Sequence, residues 1–437
     1  MTEIRIGDRP VSKIKPLHGV GQPPMRGIDT SMFHYLTEAG IPFSRLHDVG
    51  GYFAGNLFVD IPNIFRDFDK DPKDPANYDF AFTDILVSGL IGAGTEPFFR
   101  LGVTIENYCT IRAYRIFPPA DSLKWAMICE GIIRHYTEGW ADGFRYNIRY
   151  WEIWNEPDNE IDPMENPMWR GTKEQFFELY DTAATYLKKC FPDLKIGGYG
   201  SCGFYALFNA NAPEAANVGA RYDYFMEFFL GFLDHIRSTG APLDFFSWHS
   251  YGSIEGNRVC AHFARETLDK AGFTDTEIFC NEWNLEIGSK GTLYHAALVA
   301  AMMIAFTEVP LDGAMFYDAQ WSVSDYGGLF NPLTKRPFPA YYAFAMFDRL
   351  YRLGDALPVT VFGAPGLYAA AASGGDSGAL IISNTAGRAF RNVALSLPVE
   401  RPLKRCREIY LNGLDAGMRD IEFKGNIGKN KVLLLEF

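Results

Sequence analysis

Short apolar, strand-like runs alternate with helical patterns through most of the chain. The strand-like runs are IKPLHGV (14–20), PFSRLHDV (42–49), TEPFFRLG (95–102), YWEIWNEP (150–157), LKIGGYG (194–200), LDFFSWHSYG (243–252), EIFCNEWN (277–284) and GAMFYDAQW (313–321). Between them lie amphipathic segments such as Leu123 to Glu138 and Lys173 to Cys190, and the Ala-rich HAALVAAMMIAF, His295 to Phe306. Strand-to-helix alternation is the signature of a parallel α/β architecture. Eight such units predict a (β/α)8 TIM barrel over residues 11–352. After about Asp355 the texture changes to Gly, Ser and Ala turns between short alternating runs: TVFGAPGLYAAAA, GALIISNT, NVALSLPV, REIYLNG and KVLLLEF. These predict a C-terminal β-sandwich over 353–437, to which residues 1–10, with the strand-like EIRIG, offer a further strand.

The predicted strands end in residues that a core would reject: His47 and Asp48, Glu156, His249 and Tyr251, Glu282 and Asn284, Asp318 and Trp321. An ionised carboxylate in an apolar interior costs several kcal/mol unless it is paired or solvated. In a (β/α)8 barrel the C-terminal ends of all strands face one mouth, so these scattered residues are expected to converge there. The polarity of YWEIWNEPDN (150–159) then belongs to a solvent-filled cleft and not to a core strand.

Composition narrows the partners. The net charge of −12 argues against nucleic acid and anionic membranes, both of which are bound through basic patches. Aromatic residues reach 15%, enough to fill a large core and line a binding surface besides. The seven cysteines, 109 among them, form no C-x-x-C pair and read as free thiols in a reducing compartment. With no apolar run of signal-peptide or membrane-spanning length, the expectation is a cytoplasmic protein, with homo-oligomerisation left open. The histidines lack ligand spacing and the Gly-rich stretches lack a phosphate-binding context, so neither a metal nor a cofactor is expected.

Two carboxylates stand out. Glu156 in IWNEP and Glu282 in FCNEWN end strands four and seven, across the predicted mouth from each other. Paired carboxylates flanking a glycosidic bond are the working parts of a glycosidase, at about 5 Å separation when configuration is retained. Glu152 has the same strand parity as Glu156 but lies deeper, as a buried network residue; Glu160 and Glu286 read as loop charges, and Asp48 is left open between site and structure.

IWNEP on strand four and NEWN on strand seven, with RLHDVGGY, SWHSYG and GGLFNPLTKRPFPAYYAF, resemble glycoside hydrolase family 39, a clan A family. The resemblance runs over roughly residues 13–352 and implies a barrel followed by a β-sandwich. It implies Glu156 as acid/base and Glu282 as nucleophile of a retaining exo-glycosidase, with β-xylosidase the default and an arabinosyl, galactosyl or glucosyl glycone the alternative. It further implies that Asn155 holds the sugar 2-hydroxyl, that Tyr251 beside His249 keeps Glu282 ionised, that His47 touches a sugar hydroxyl, and that Trp321 supplies a ring for the sugar's apolar face. The acid is expected to have the raised pKa of the pair. The chain departs from the family at strand three, FFRLGVTIENY in place of an acidic, Met-containing stretch, and at strand eight, FYDAQWSVSD. Both lie where the sugar is read. A carbohydrate-binding barrel without catalysis is the rival of another class; keeping both glutamates argues against it.

Overall fold

The computed structural model describes residues 2–48, 58–105, 116–208, 216–321, 326–398 and 402–437. Cys109, residues 49–52 of RLHDVGGY, 106–108 of the strand-three text, 322–325 of the strand-eight text and residue 399 of NVALSLPV lie outside them. Eight parallel strands close into a barrel in chain order. They are Gly19–Gly21, Phe43–Leu46, Glu96–Leu101, Tyr150–Ile153, Lys195–Ser201, Phe245–Ser250, Glu277–Trp283 and Gly313–Tyr317, hereafter barrel strands one to eight, and strand eight pairs back onto strand one. A helix follows each of them. Strand one begins at Gly19, later than the run starting at Ile14 suggested: Ile14 instead bonds through its N–H to the Gly354 carbonyl beside the sandwich.

The strand period of two divides the barrel interior into layers. Phe43, Phe98, Tyr150, Phe245, Phe279 and Met315, at or near the N-terminal ends of six strands, form a closed apolar cluster at the bottom. Its rings meet edge-on or offset, with Phe98–Phe245 and Tyr150–Phe279 centroids 5.1 Å apart. Two residues further along the same strands come Arg45, Arg100, Glu152, Ser247 and Asn281, all fully buried. One more step brings His47 and His249 to the mouth.

The helices shield the strands from outside. Lys173–Cys190 begins with a capping box between Thr172 and Gln175 and buries Phe176, Tyr180, Ala183, Ala184 and Leu187 at helical spacing. Leu293–Phe306 has no polar face, because it is covered on both sides. The barrel lies on one side of it, and on the other the sandwich residues Ala379, Ile381 and Leu434 join the same core cluster. The Ser383 hydroxyl donates to the Ala297 carbonyl at 2.6 Å across this junction.

In the sandwich, a seven-stranded sheet runs in the order Asp415–Asp420, Arg405–Asn412, Val432–Glu436, Ser377–Asn384, Leu367–Gly374, Asp355–Leu357 and Ser12–Lys13. A three-stranded sheet, Val359–Phe362, Glu3–Ile6 and Ala394–Ser396, faces its other side around Ile4, Ile6, Leu380, Ile382 and Leu433. Ser12 and Lys13, expected with the barrel, pair with Ala356 and Asp355 instead, because the backbone here meets the open edge of the sandwich sheet, with Val11 N–H donating to the Ala356 carbonyl at 2.9 Å. Among the described residues no helix is long and apolar enough to cross a membrane.

Candidate active site

The loop Trp154–Asn159 leaves strand four through two left-handed residues, Trp154 (φ 72°) and Glu156 (φ 44°). A non-glycine residue is rarely found there, and such backbone strain is held only where the surroundings over-determine it. Here they do. The Trp154 indole is buried against Trp125 and Trp169 and donates to the Met168 carbonyl, and the Glu156 N–H donates to the Gly200 carbonyl at 2.9 Å. The bend anchors Trp154 outside the barrel and turns Glu156 into the mouth.

There Glu156, His249 and Glu282 meet, with one donor atom from each lying within 4.8 Å of the other two. His249 Nδ1 is 2.7 Å from Glu156 Oε1 and 3.7 Å from Glu282 Oε2. The second Glu156 oxygen accepts from Asn159 Nδ2 at 2.7 Å. Glu282 accepts from the Tyr251 hydroxyl at 2.6 Å and from Arg45 Nη1 at 3.1 Å. Arg45 is the hub beneath them: its Nε donates to Glu152 at 2.7 Å and its Nη2 to Asn155 Oδ1 at 2.5 Å. Glu152 accepts in addition from Ser247 and Asn281, each at 2.6 Å, so this carboxylate is a buried support of the site and not a member of it. Gly200 (φ 62°) makes room for the assembly, since a Cβ there would stand 3.0 Å from Arg45 Nη2 and 3.1 Å from His249 Nε2.

The electrostatics differ from the simple expectation of a raised acid. Burial pushes the Glu156 carboxyl up, but the hydrogen bond and charge of His249, together with Asn159 and Arg45, outweigh it and hold Glu156 below the usual glutamate value. Glu282 is pushed up by burial and by the charge of Glu156, against the pull of His249, Arg45 and Tyr251. His249 loses basicity to burial and regains more from Glu282 and Glu156, ending above 6.5. Both carboxylates thus favour a protonated imidazole, which competes with Glu282 for the proton that two close carboxylates would otherwise share. The same three side chains could hold a cation, which would displace the hydrogen bond between His249 Nδ1 and Glu156.

The site opens into a cleft of about 890 Å³ lined by His47, Asp48, Glu156, Tyr251, Glu282 and Tyr317, with an aromatic wall on the side of strand five. Of the residues expected here, Glu156, Glu282, Tyr251 and His47 line the cleft. His249 lies directly beneath its floor, bonded to Glu156. Asn155 is buried at the same level, and its Nδ2 has no hydrogen-bond partner. Asp48, left open above, faces the cleft and accepts from the Tyr317 hydroxyl at 3.0 Å; burial pushes its carboxyl up to about 7, against the pull of Arg100. Trp321 is not brought in. It does not line the cleft, and Lys335 Nζ and the Arg26 guanidinium lie 4.2 and 5.7 Å from its ring centroid.

The sequence reading missed Arg45, Asn159 and Arg221. Arg45 was within reach, because it shares strand parity with His47 and therefore points into the barrel. Asn159 and Arg221 carried no signal. Arg221 Nη2 donates to Asn159 Oδ1 at 2.9 Å and its Nε to the Asn159 carbonyl, which turns the Asn159 amide nitrogen toward Glu156.

A closed (β/α)8 barrel carrying two facing glutamates at the ends of strands four and seven defines a glycoside hydrolase of the retaining kind. The chain belongs to glycosyl hydrolases family 39, whose family model matches residues 53–350. It is 24% identical over 424 residues to a β-xylosidase of Caldicellulosiruptor saccharolyticus, covering 86% of this chain and 76% of that protein. A β-xylosidase of Geobacillus stearothermophilus is 23% identical over 353 residues, covering 70% and 62%. The crystal structure of a glucosidase from Croceicoccus marinus superposes over 100% of this chain and 98% of its own, with a TM-score of 0.71 at 23% identity.

Proposed function

We propose that the protein is a retaining exo-glycosidase with Glu156 as acid/base and Glu282 as nucleophile, acting on a terminal β-xylosyl unit of short oligosaccharides or glycosides. The observation that carries the roles is the close approach of Glu156, His249 and Glu282, within 4.8 Å of one another. That spacing leaves no room for the water that an inverting enzyme places between its carboxylates. The two β-xylosidase relatives support the glycone, and the glucosidase of the same fold keeps a glucosyl unit as the alternative. The six free cysteines among the described residues support a cytoplasmic enzyme working on imported fragments.

In the first step a Glu282 oxygen attacks the anomeric carbon while the glycosidic oxygen takes a proton from Glu156 and departs as an alcohol. Forming the glycosyl ester removes the charge of Glu282. His249 thereby loses its strongest reason to stay protonated, and its Nδ1 proton is relayed through Glu156, along the 2.7 Å hydrogen bond, to the departing oxygen, which leaves Glu156 ionised beside a neutral imidazole. The site holds one net negative charge before and after. In the second step Glu156 accepts a proton from water, the water oxygen attacks the anomeric carbon, and Glu282 is released with configuration retained. Asn155 Nδ2, buried and unpartnered, is positioned to donate to the sugar 2-hydroxyl, an interaction that strengthens in the oxocarbenium-like transition state.

The test is Glu282→Ala. Turnover of a nitrophenyl glycoside is expected to vanish, and azide to restore a glycosyl azide of inverted anomeric configuration. Wild-type hydrolysis by this variant would remove Glu282 from the mechanism.

A further inference from the structure

We infer that the leaving-group half of the cleft takes an apolar, ring-bearing aglycone in preference to a second sugar. The inference rests on the assignment of Glu156 as acid. The leaving oxygen must receive its proton from Glu156, so the aglycone extends past Glu156, away from His47, Asp48 and Tyr317 of strands two and eight. On that side stand Tyr205 and Phe208, which follow strand five, and Tyr222 and Phe225 on the helix Ala216–Thr239. They form one continuous wall: centroid distances are 5.7 Å for Tyr205–Phe208, 5.1 Å for Tyr205–Tyr222 and 6.0 Å for Tyr222–Phe225. The wall is tied to the acid, because Arg221, next to Tyr222, clamps the Asn159 that binds Glu156.

The rings are held in place. The Tyr205 hydroxyl accepts from the Tyr251 N–H at 3.0 Å. Phe208 lies against the glycines that follow strand six: a Cβ on Gly252 would stand 2.7 Å from its ring, and one on Gly256 3.1 Å. Val259, 46% exposed on the next helix, extends the apolar lining outward.

Among the described residues, polar groups on this side have partners within the protein: Arg221 serves Asn159, and the Ser253 hydroxyl caps its helix by accepting from the Gly256 N–H; Glu255 stands at the rim with its side chain 73% exposed. A second sugar would bring several hydroxyls to a wall that, among the described residues, presents mainly ring faces, and a buried hydroxyl without a partner costs more than the burial of its ring returns. A flat apolar ring loses nothing there and gains offset or edge contacts.

The test compares two ligands with the same glycone and equally unactivated alcohol leaving groups, a 2-phenylethyl glycoside and the corresponding disaccharide. The glycone is the one that wild-type enzyme selects from a nitrophenyl glycoside panel, β-xylose unless another wins. Dissociation constants are measured by calorimetry on Glu282→Gln, which cannot turn either ligand over. The phenylethyl glycoside is expected to bind at least about ten-fold more tightly, and Phe208→Ser or, independently, Tyr222→Ser in that background to bring the ratio to about one. Equal or tighter binding of the disaccharide, no binding of either ligand, or a preference that survives both wall substitutions would overturn the inference. The nitrophenyl panel and the azide experiment read the glycosidase assignment separately, so either conclusion can fail alone.

Discussion

Replacing Tyr251 with Phe removes one oxygen atom and, with it, the 2.6 Å hydrogen bond to Glu282. The ring itself should stay where it is, since it packs against Tyr326 at 5.1 Å. A hydrogen bond to a charged acceptor is worth about 1.5–3 kcal/mol, and a buried one at this distance belongs in that range. Because the hydroxyl donates to the ionised carboxylate, its loss favours the protonated form of Glu282. At about 1.36 kcal/mol per pH unit, the acid limb of kcat/KM moves to higher pH by about one to two units. Below that limb the variant is slower than wild type by about 10- to 150-fold, and well above it the gap narrows. The limb is a macroscopic property of the Glu156–His249–Glu282 group, so the shift is read from the whole profile. The assay is initial-rate kcat/KM on an activated nitrophenyl glycoside across the acid limb, with circular dichroism to confirm folding. A variant limb that coincides with wild type, or a loss of rate equal at every pH, would refute the idea that Tyr251 acts by holding the charge of Glu282.

Other expectations follow from neighbouring contacts. Glu156→Ala should lower kcat/KM by about 10²- to 10⁴-fold on an alkyl glycoside and far less on an activated aryl glycoside, since only the former needs its departing oxygen protonated; equal losses would count against the acid role. Arg221→Met frees the Asn159 amide to rotate and removes a donor from Glu156, so the alkaline limb should move up and the sensitivity to leaving-group acidity should change; a fall in rate with both unchanged would point to mere destabilisation. Asp158 is fully buried, and burial lifts its carboxyl from 3.8 to about 6 against the donors Ser201 and Cys202 N–H. The unfolded chain releases this proton first, so between about pH 4 and pH 6 the folded state binds more protons and stability falls as pH rises, by at most about 3 kcal/mol. Asp158→Asn should flatten that fall in a series of urea titrations; an unchanged slope would show that Asp158 titrates as it does when unfolded.

The chain by itself determined the architecture and the two glutamates, because both are written in local periodicity. Runs of period two separated by helical faces encode eight strand–helix units, and a polar residue closing an apolar strand marks the mouth without any knowledge of neighbours. The same alternation placed Glu152 below Glu156 and distinguished support from site. Tertiary structure alone decided what these residues do to one another. Arg45, Glu152, Asn155 and Glu282 come from three strands and the loop after one of them, and only barrel closure lets one guanidinium reach all three partners. The histidine bonded to Glu156 beside Glu282, the Arg221 clamp on Asn159 and the exclusion of Trp321 depend on distances between segments far apart in sequence, where periodicity is silent. The pairing of Ser12 and Lys13 with the sandwich belongs to the same class: a two-residue strand has no pattern of its own and is defined by the edge it meets.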